Sequence, residues 1–266
     1  MTEVVAGTDE ESASAPVPRL RWWREVVYIA VFYGVYSVIR NQFGSAAVSD
    51  ATAFRHALEI INIERDLHSF VEHDIQRWFL DWRAFIQFWN LFYGTFHFVV
   101  TAFCIVWLFR RFPERYIRWR TTLACTTALA LIGFATYPLM PPRLLHDFDP
   151  SFHFVDTLKV YGGLWSFDSG AMAKVSNQYA AMPSLHFAWA MWCAFVLMPT
   201  VPKVWMKVLA VVYPVLTLFA VVVTGNHYWL DAAGGALILG VGYLGGSLWD
   251  QWVRGRTEAA EAVDRL

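Results

Sequence analysis

His227 and Asp231 stand four residues apart within residues 224–235, a short stretch that joins two long apolar runs. On a helix this spacing puts both side chains on one face, one turn apart. Imidazole moves protons or groups near neutral pH. A carboxylate beside it fixes its tautomer and raises its basicity. A histidine and an aspartate at the edge of a membrane are costly to keep without a purpose. Capping and packing a helix end is the plainer use of the same pair. Two other stretches carry matching chemistry. Pro141-Pro142-Arg143 ends an apolar run, and its arginine can clamp a phosphate bidentately or simply sit at the interface. Ala181-Met182-Pro183-Ser184-Leu185-His186 opens another run. Proline suits a first helical turn, and free amides there with the Ser184 hydroxyl make a phosphate cradle or an ordinary cap. Asn226, next to His227, is a further phosphate-binding candidate.

Two histidines and a carboxylate suit phosphoryl transfer without a metal. One histidine attacks phosphorus, the aspartate orients it, and the other histidine protonates the departing oxygen. Arginine and helix-end amides stabilise the remaining oxygens. Zinc is the rival, but no recognised spacing such as HExxH is present. A Ser184 nucleophile lacks the GxSxG elbow. No metal or cofactor is therefore expected. Asn90, Tyr93 and His97 form a polar stripe at i, i+3 and i+7 in an apolar run. Such a stripe lines a head-group pocket or makes interhelical hydrogen bonds. His68 and His73, with acidic neighbours, read as a surface helix. Lys174, Asn177, Gln178 and Tyr179 lie just before the Ser184 motif and are placed to touch a head group.

The chain that must position these groups is 57% hydrophobic and only 16% charged, far from a soluble domain. A net charge of -1 gives no basic excess for nucleic acid. Cys104, Cys125 and Cys193 all lie in apolar runs and read as small core residues. Apolar runs at 26–39, 84–109, 121–138, 183–201, 208–224 and 232–249 approach the roughly 20 residues of a membrane span. The expected fold is an all-α membrane protein with six transmembrane helices. Between the first and second, residues 44–83 carry Ile60, Ile61, Ile63, Leu67, Phe70, Val71, Ile75, Trp78 and Phe79 at helical spacing among charges. They are expected to form an amphipathic interfacial helical segment. Residues 1–20 read as a disordered cytoplasmic tail, 21–253 as the membrane domain and 254–266 as a cytoplasmic tail. Arginines before the first run, five arginines from Arg110 to Arg120, Lys203 with Lys207, and Arg254 with Arg256 fall on one face, which the positive-inside rule makes cytoplasmic. Arg143, His186 and His227 then share the opposite face, and the plasma membrane is the expected location.

Pro183-Ser184-Leu185-His186 resembles the second motif, PSGH, of the type 2 phosphatidic acid phosphatase superfamily. The stretch from His227 to Asp231 resembles its third motif, ending in HxxxD. The wording AAMPSLHFAW and TGNHYWLDAAGG is similar to the inositol phosphorylceramide synthase-like, aureobasidin-resistance-type phosphotransferases. That branch also has segments like 137–143 and like Asn90, Tyr93 and His97 here. The resemblance implies that His227 is the nucleophile forming a phosphohistidine, that Asp231 orients it, that His186 is the acid, and that Arg143 binds phosphate. Two features depart from the phosphatases. Their Ser-Arg pair before the third-motif histidine is Ala220-Val221 here, and their lysine-rich first motif is not recognisable. The departures favour a transferase over a simple phosphatase.

The expected function is therefore an integral membrane phosphotransferase. It moves a phospho-head group, inositol phosphate by resemblance, from a phospholipid donor to a hydroxyl of a lipid or polyol acceptor. With water as acceptor, the same machinery is a lipid phosphate or prenyl diphosphate phosphatase. A non-enzymatic transporter is the more distant alternative. Six spans without obvious halves argue mildly against it.

Overall fold

The computed structural model describes residues 20–43, 49–162 and 178–264, and within them the only non-helical pairing is an isolated bridge between Leu139 and Ala180. The helices are α1 (Trp22–Phe43), α2 (Asp50–Asp66), α3 (Glu72–Phe79), α4 (Arg83–Arg111), α5 (Pro113–Thr136), α6 (Pro142–Phe148), α7 (Thr157–Tyr161), α8 (Leu185–Leu197), α9 (Val204–Val223) and α10 (Trp229–Asp264). Each of the six apolar runs falls on a helix. Three of the helices, α4, α9 and α10 as far as Arg256, are both long and apolar enough to cross a membrane. Their outward faces carry Phe98, Val99, Phe103, Val208, Val215, Leu237 and Leu244, all exposed, as in a protein whose surroundings are apolar. The chain fits a membrane protein. α8 is apolar but only 13 residues long, shorter than its run predicts. It begins at Leu185 because Ser184 caps it, with its hydroxyl accepting from Phe187 N–H at 3.4 Å.

α5 and α10 lie against each other over most of their length. Gly242 and Gly246 face Thr122 and Thr126, so closely that a Cβ on either glycine would meet a threonine hydroxyl. Those hydroxyls donate to carbonyls one turn back on α5, Thr122 to Arg118 O at 2.9 Å and Thr126 to Thr122 O at 2.8 Å. The interface is thus small and internally satisfied, which lets two apolar helices approach closely. At the far end from His227, charges lock the bundle. Arg120 donates to both oxygens of Glu25 on α1 at 2.7 and 2.8 Å, and Asp250 on α10 accepts from Arg118 at 3.0 Å and Arg254 at 3.2 Å. Arg118, Arg120 and Arg254, three of the arginines on which the expected orientation rests, are therefore tied into the bundle. α10 continues through the expected tail to Asp264.

Of the 44–83 segment, the described residues from 49 onward carry α2 and α3, but their apolar stripe is divided. Ala53, Ala57, Ile60 and Ile61 pack inward on Leu139, Met140, Leu145, Phe154 and Tyr228. Ile63, Leu67, Val71 and Trp78 remain exposed. One face of α2 is covered by protein, because the 137–154 loop folds over it. Cys104 and Cys193 are buried side by side in the α4–α8 core around Trp192, while Cys125 is half-buried.

Candidate active site

α9 ends at Val223, and the chain turns sharply before α10 starts at Trp229. Gly225 makes the turn with φ of 69°, a conformation that favours glycine. It also sits where a side chain would strike Gln76 Nε2 at 2.8 Å and Arg143 Cβ at 3.3 Å. Asn226 and His227 both donate their backbone N–H to Val221 O, at 2.9 and 3.2 Å. The turn therefore leaves His227 just ahead of α10, two residues before its first helical position.

Asp231, in the first turn of α10, does two things with one oxygen. Its Oδ2 accepts from Tyr228 N–H at 2.9 Å, and from His227 Nδ1 at 3.2 Å. A carboxylate only accepts, so Nδ1 carries the hydrogen, and in the neutral ring the lone pair is then on Nε2. The capping and the pairing readings are both realised. Asp231 is fully buried, and His227 is 3% exposed. Asp231 Oδ1 has no partner among the described residues.

The Ser184 motif is tied to the same helix start. Ser184 N–H donates to Asp231 O at 2.8 Å. His186, one residue into α8, brings its ring centroid to 5.5 Å from that of His227. Unlike His227 it is only half-buried. From α4, Tyr93 stacks on His186 at 4.4 Å and His97 meets it edge-on at 4.3 Å. His97 Nδ1 is bonded to Tyr93 O at 3.0 Å, so its orientation is fixed by its own helix.

Arg143, in α6, lies on the other side of the turn. Its backbone N–H donates to Gly225 O at 2.8 Å, and its Nε to Asn226 Oδ1 at 3.1 Å. Its Nη1 forms an ion pair with Asp156 Oδ2 at 2.7 Å. None of the described hydrogen bonds uses Nη2. The amide of Asn226 is turned away to Thr224 Oγ1 at 2.8 Å. Asn226 thus holds the arginine and spends its own donor elsewhere.

Asn90 stands apart from its stripe. Its amide donates to Thr157 O and Gly162 O, both at 2.9 Å, and its oxygen accepts from Thr157 Oγ1 at 2.9 Å. Tyr93 and His97 reach His186; Asn90 ties α7 to α4. Gln76 does the same for the residue before Asp156, donating to Val155 O at 3.0 Å and accepting from Val155 N–H at 2.9 Å. Between these two clamps, Asp156 is aimed at Arg143. Neither Gln76 nor Asp156 stood out in the sequence, since each acts through partners far along the chain. Tyr179 donates its hydroxyl to Asp50 at 2.7 Å. Gln178 precedes it in a turn, and Lys174 and Asn177 lie outside the described residues.

An all-helical chain that gathers two histidines, a buried carboxylate and an anchored arginine where apolar helices meet has the parts of a membrane phosphoryl-transfer site. The family model of the PAP2 superfamily matches residues 58–245, and the chain belongs to that superfamily. The match takes in Arg143, His186, His227 and Asp231, and membership is consistent with a lipid phosphatase or phosphotransferase. No curated protein and no solved structure matches the chain.

Proposed function

We propose that the protein is a lipid phosphotransferase working through a phosphohistidine. The observation that carries the reading is the His227–Asp231 pair facing His186 beside Arg143. His227 Nε2 attacks phosphorus, and the bond from phosphorus to the leaving oxygen breaks. His186 gives that oxygen its proton. A hydroxyl acceptor then loses its proton to His186 and attacks phosphorus, the N–P bond breaks, and His227 is free again. Arg143 Nη2 and the Leu185 and His186 amides hold the equatorial oxygens. Asn90, a head-group candidate or an interhelical bond by sequence, acts here by fixing the loop that carries Asp156, while Tyr93 and His97 wall the pocket. The six runs cross the plasma membrane, both termini are cytoplasmic, and the site opens on the extracytoplasmic face, as the arginine distribution supports.

Superfamily membership equally supports a phosphatase, in which water is the acceptor. Donors carrying labelled phosphate separate the two. Incubation of purified protein with glycerophospholipids and prenyl phosphates, with and without polyol or lipid acceptors, is expected to move label to an acceptor. Release of free phosphate whatever acceptor is supplied identifies a hydrolase. Acid-labile label on the protein, lost in His227→Ala, marks the intermediate. Full activity in His227→Ala overturns the mechanism.

A further inference from the structure

Three consecutive amides at the start of α10 are each taken by a different carboxylate. Tyr228 N–H goes to Asp231, Trp229 N–H to Glu72 Oε1 at 3.2 Å, and Leu230 N–H to Glu64 Oε1 at 2.9 Å. Glu64 lies at the end of α2 and Glu72 at the start of α3, and both are fully buried. Each keeps its second oxygen, Oε2, away from every described N–H and O–H donor. The amides they hold belong to neighbouring residues, so the two buried carboxyl groups converge on one helix start, each with an oxygen to spare. Two carboxyl groups so placed can bond to each other only with a hydrogen atom between them.

We propose that Glu64 and Glu72 form a one-proton carboxyl pair that clamps the Trp229 and Leu230 amides and thereby positions His227 and Asp231. The inference rests on the phosphotransfer reading above, for which both glutamates are positioning residues. A simple cap needs one acceptor per amide and no shared hydrogen. Here one hydrogen atom joins α2 to α3, the two backbone N–H bonds tie that pair to the start of α10 just behind His227, and a single negative charge is left beside that helix's positive end. Burial, and next the bond to Glu72, pushes the Glu64 carboxyl up to about 9. Burial raises Glu72 as well. Asp231 and Tyr228 face the pair from outside α2 and α3. Among the described ion pairs none includes Glu64 or Glu72, so no cation offsets a second charge. Loss of the shared proton puts two carboxylates together next to Asp231 and opens the clamp.

Glutamine replaces either partner without losing the bond. Its oxygen accepts the backbone N–H, its amide donates to the remaining carboxylate, and no proton is left to lose. In wild-type protein the infrared band of a protonated carboxyl is expected at neutral pH and should vanish as pH passes about 9. It should be absent in Glu64→Gln and in Glu72→Gln. This readout needs no substrate, so it stands even where an inactive but folded wild type sinks the phosphotransfer reading. In turnover, the alkaline limb of kcat should sit near pH 9 in wild type and move to higher pH in Glu72→Gln. Glu72→Ala should lower kcat roughly tenfold with KM little changed, and Glu72→Gln should recover most of that loss. Persistence of the band in both glutamine variants overturns the shared proton. An unshifted alkaline limb, or a Glu72→Ala kcat equal to wild type, overturns the positioning role.

Discussion

Gly235 lies one turn beyond Asp231 on α10, at the crossing with the start of α8. A Cβ added there would run into Ser184 O, with Ser184 C at 3.3 Å and Ala188 N at 3.5 Å. These are backbone atoms and cannot rotate aside, so Gly235→Ala must push the two helices apart. The Ser184 N–H bond to Asp231 O, 2.8 Å long, stretches with them. Overpacking of this kind costs about 1–3 kcal/mol, and a lost hydrogen bond adds about 0.5–1.5 kcal/mol. Alanine returns about 0.5–1 kcal/mol through its better helix propensity. The net loss is about 0.5–4 kcal/mol, which for a chain of this size lowers Tm by roughly 1–16 °C. Gly240, farther along the same helix, has nothing within 4 Å of its added Cβ. Gly240→Ala should keep only the propensity gain and raise Tm by about 1–4 °C. Thermal unfolding of both variants and wild type in one detergent measures the difference. Because His186 moves with Ser184, Gly235→Ala should also lose turnover on the order of tenfold or more. A Gly235→Ala protein that melts as high as Gly240→Ala refutes the close crossing, and with it the argument that this glycine sets the imidazole spacing.

Arg143→Lys keeps the charge but cannot bond Asn226, Asp156 and a phosphate oxygen together; kcat/KM should fall roughly 10–100-fold, and an equal value shows that Arg143 does not touch phosphate. Asp231→Asn preserves shape and the Tyr228 cap but lets His227 take the wrong tautomer; kcat should drop at least about 100-fold with KM little moved, measured by steady-state turnover and by the yield of phosphohistidine. Stability should also depend on pH through Glu64. Its carboxyl rises from 4.5 to about 9 on folding, so the folded protein keeps a proton that the unfolded chain releases. That contribution is complete below the lower value and shrinks as pH climbs through the upper one. Tm should therefore decline from about pH 6 to about pH 9, and Glu64→Gln should flatten the slope; a wild-type Tm that rises over this interval contradicts a buried shared proton.

His186, His227, Asp231 and Arg143 were legible because each stands in a short motif whose neighbours explain it. Ser184 caps the helix of His186, and Gly225 makes the turn that delivers His227. Their convergence on one end of the bundle followed from counting apolar runs. Asp156, Gln76, Glu64 and Glu72 were not legible, for a common reason. Glu64 meets Leu230 across 166 residues and Gln76 meets Val155 across 79, and no local pattern marks such partners. Read locally, the two glutamates were ordinary charges that balanced nearby arginines. The Asn90 stripe shows the limit of spacing alone. Three residues on one helix face reached two different neighbours, because α7 covers the first turn of that face and α8 the next. Hydropathy had a related limit at α5. Its threonines lower the apparent apolarity, yet their hydroxyls are bonded to their own helix and accommodate the glycines of α10.

α10 joins Asp231, at the reacting end, to Asp250, which anchors Arg118 and Arg254. At about 1.5 Å of rise per residue the two carboxylates are about 28 Å apart, close to the roughly 30 Å of a bilayer's hydrocarbon core. One unbroken helix makes this a fixed ruler. A thicker or thinner bilayer cannot stretch it and is met by tilting or by deforming the lipid. Any tilt swings His227 relative to the plane of the lipid head groups about the buried Asp250 anchor. Under the proposed lipid phosphotransfer, membrane thickness then becomes a setting for how deep a lipid must reach to present its phosphate.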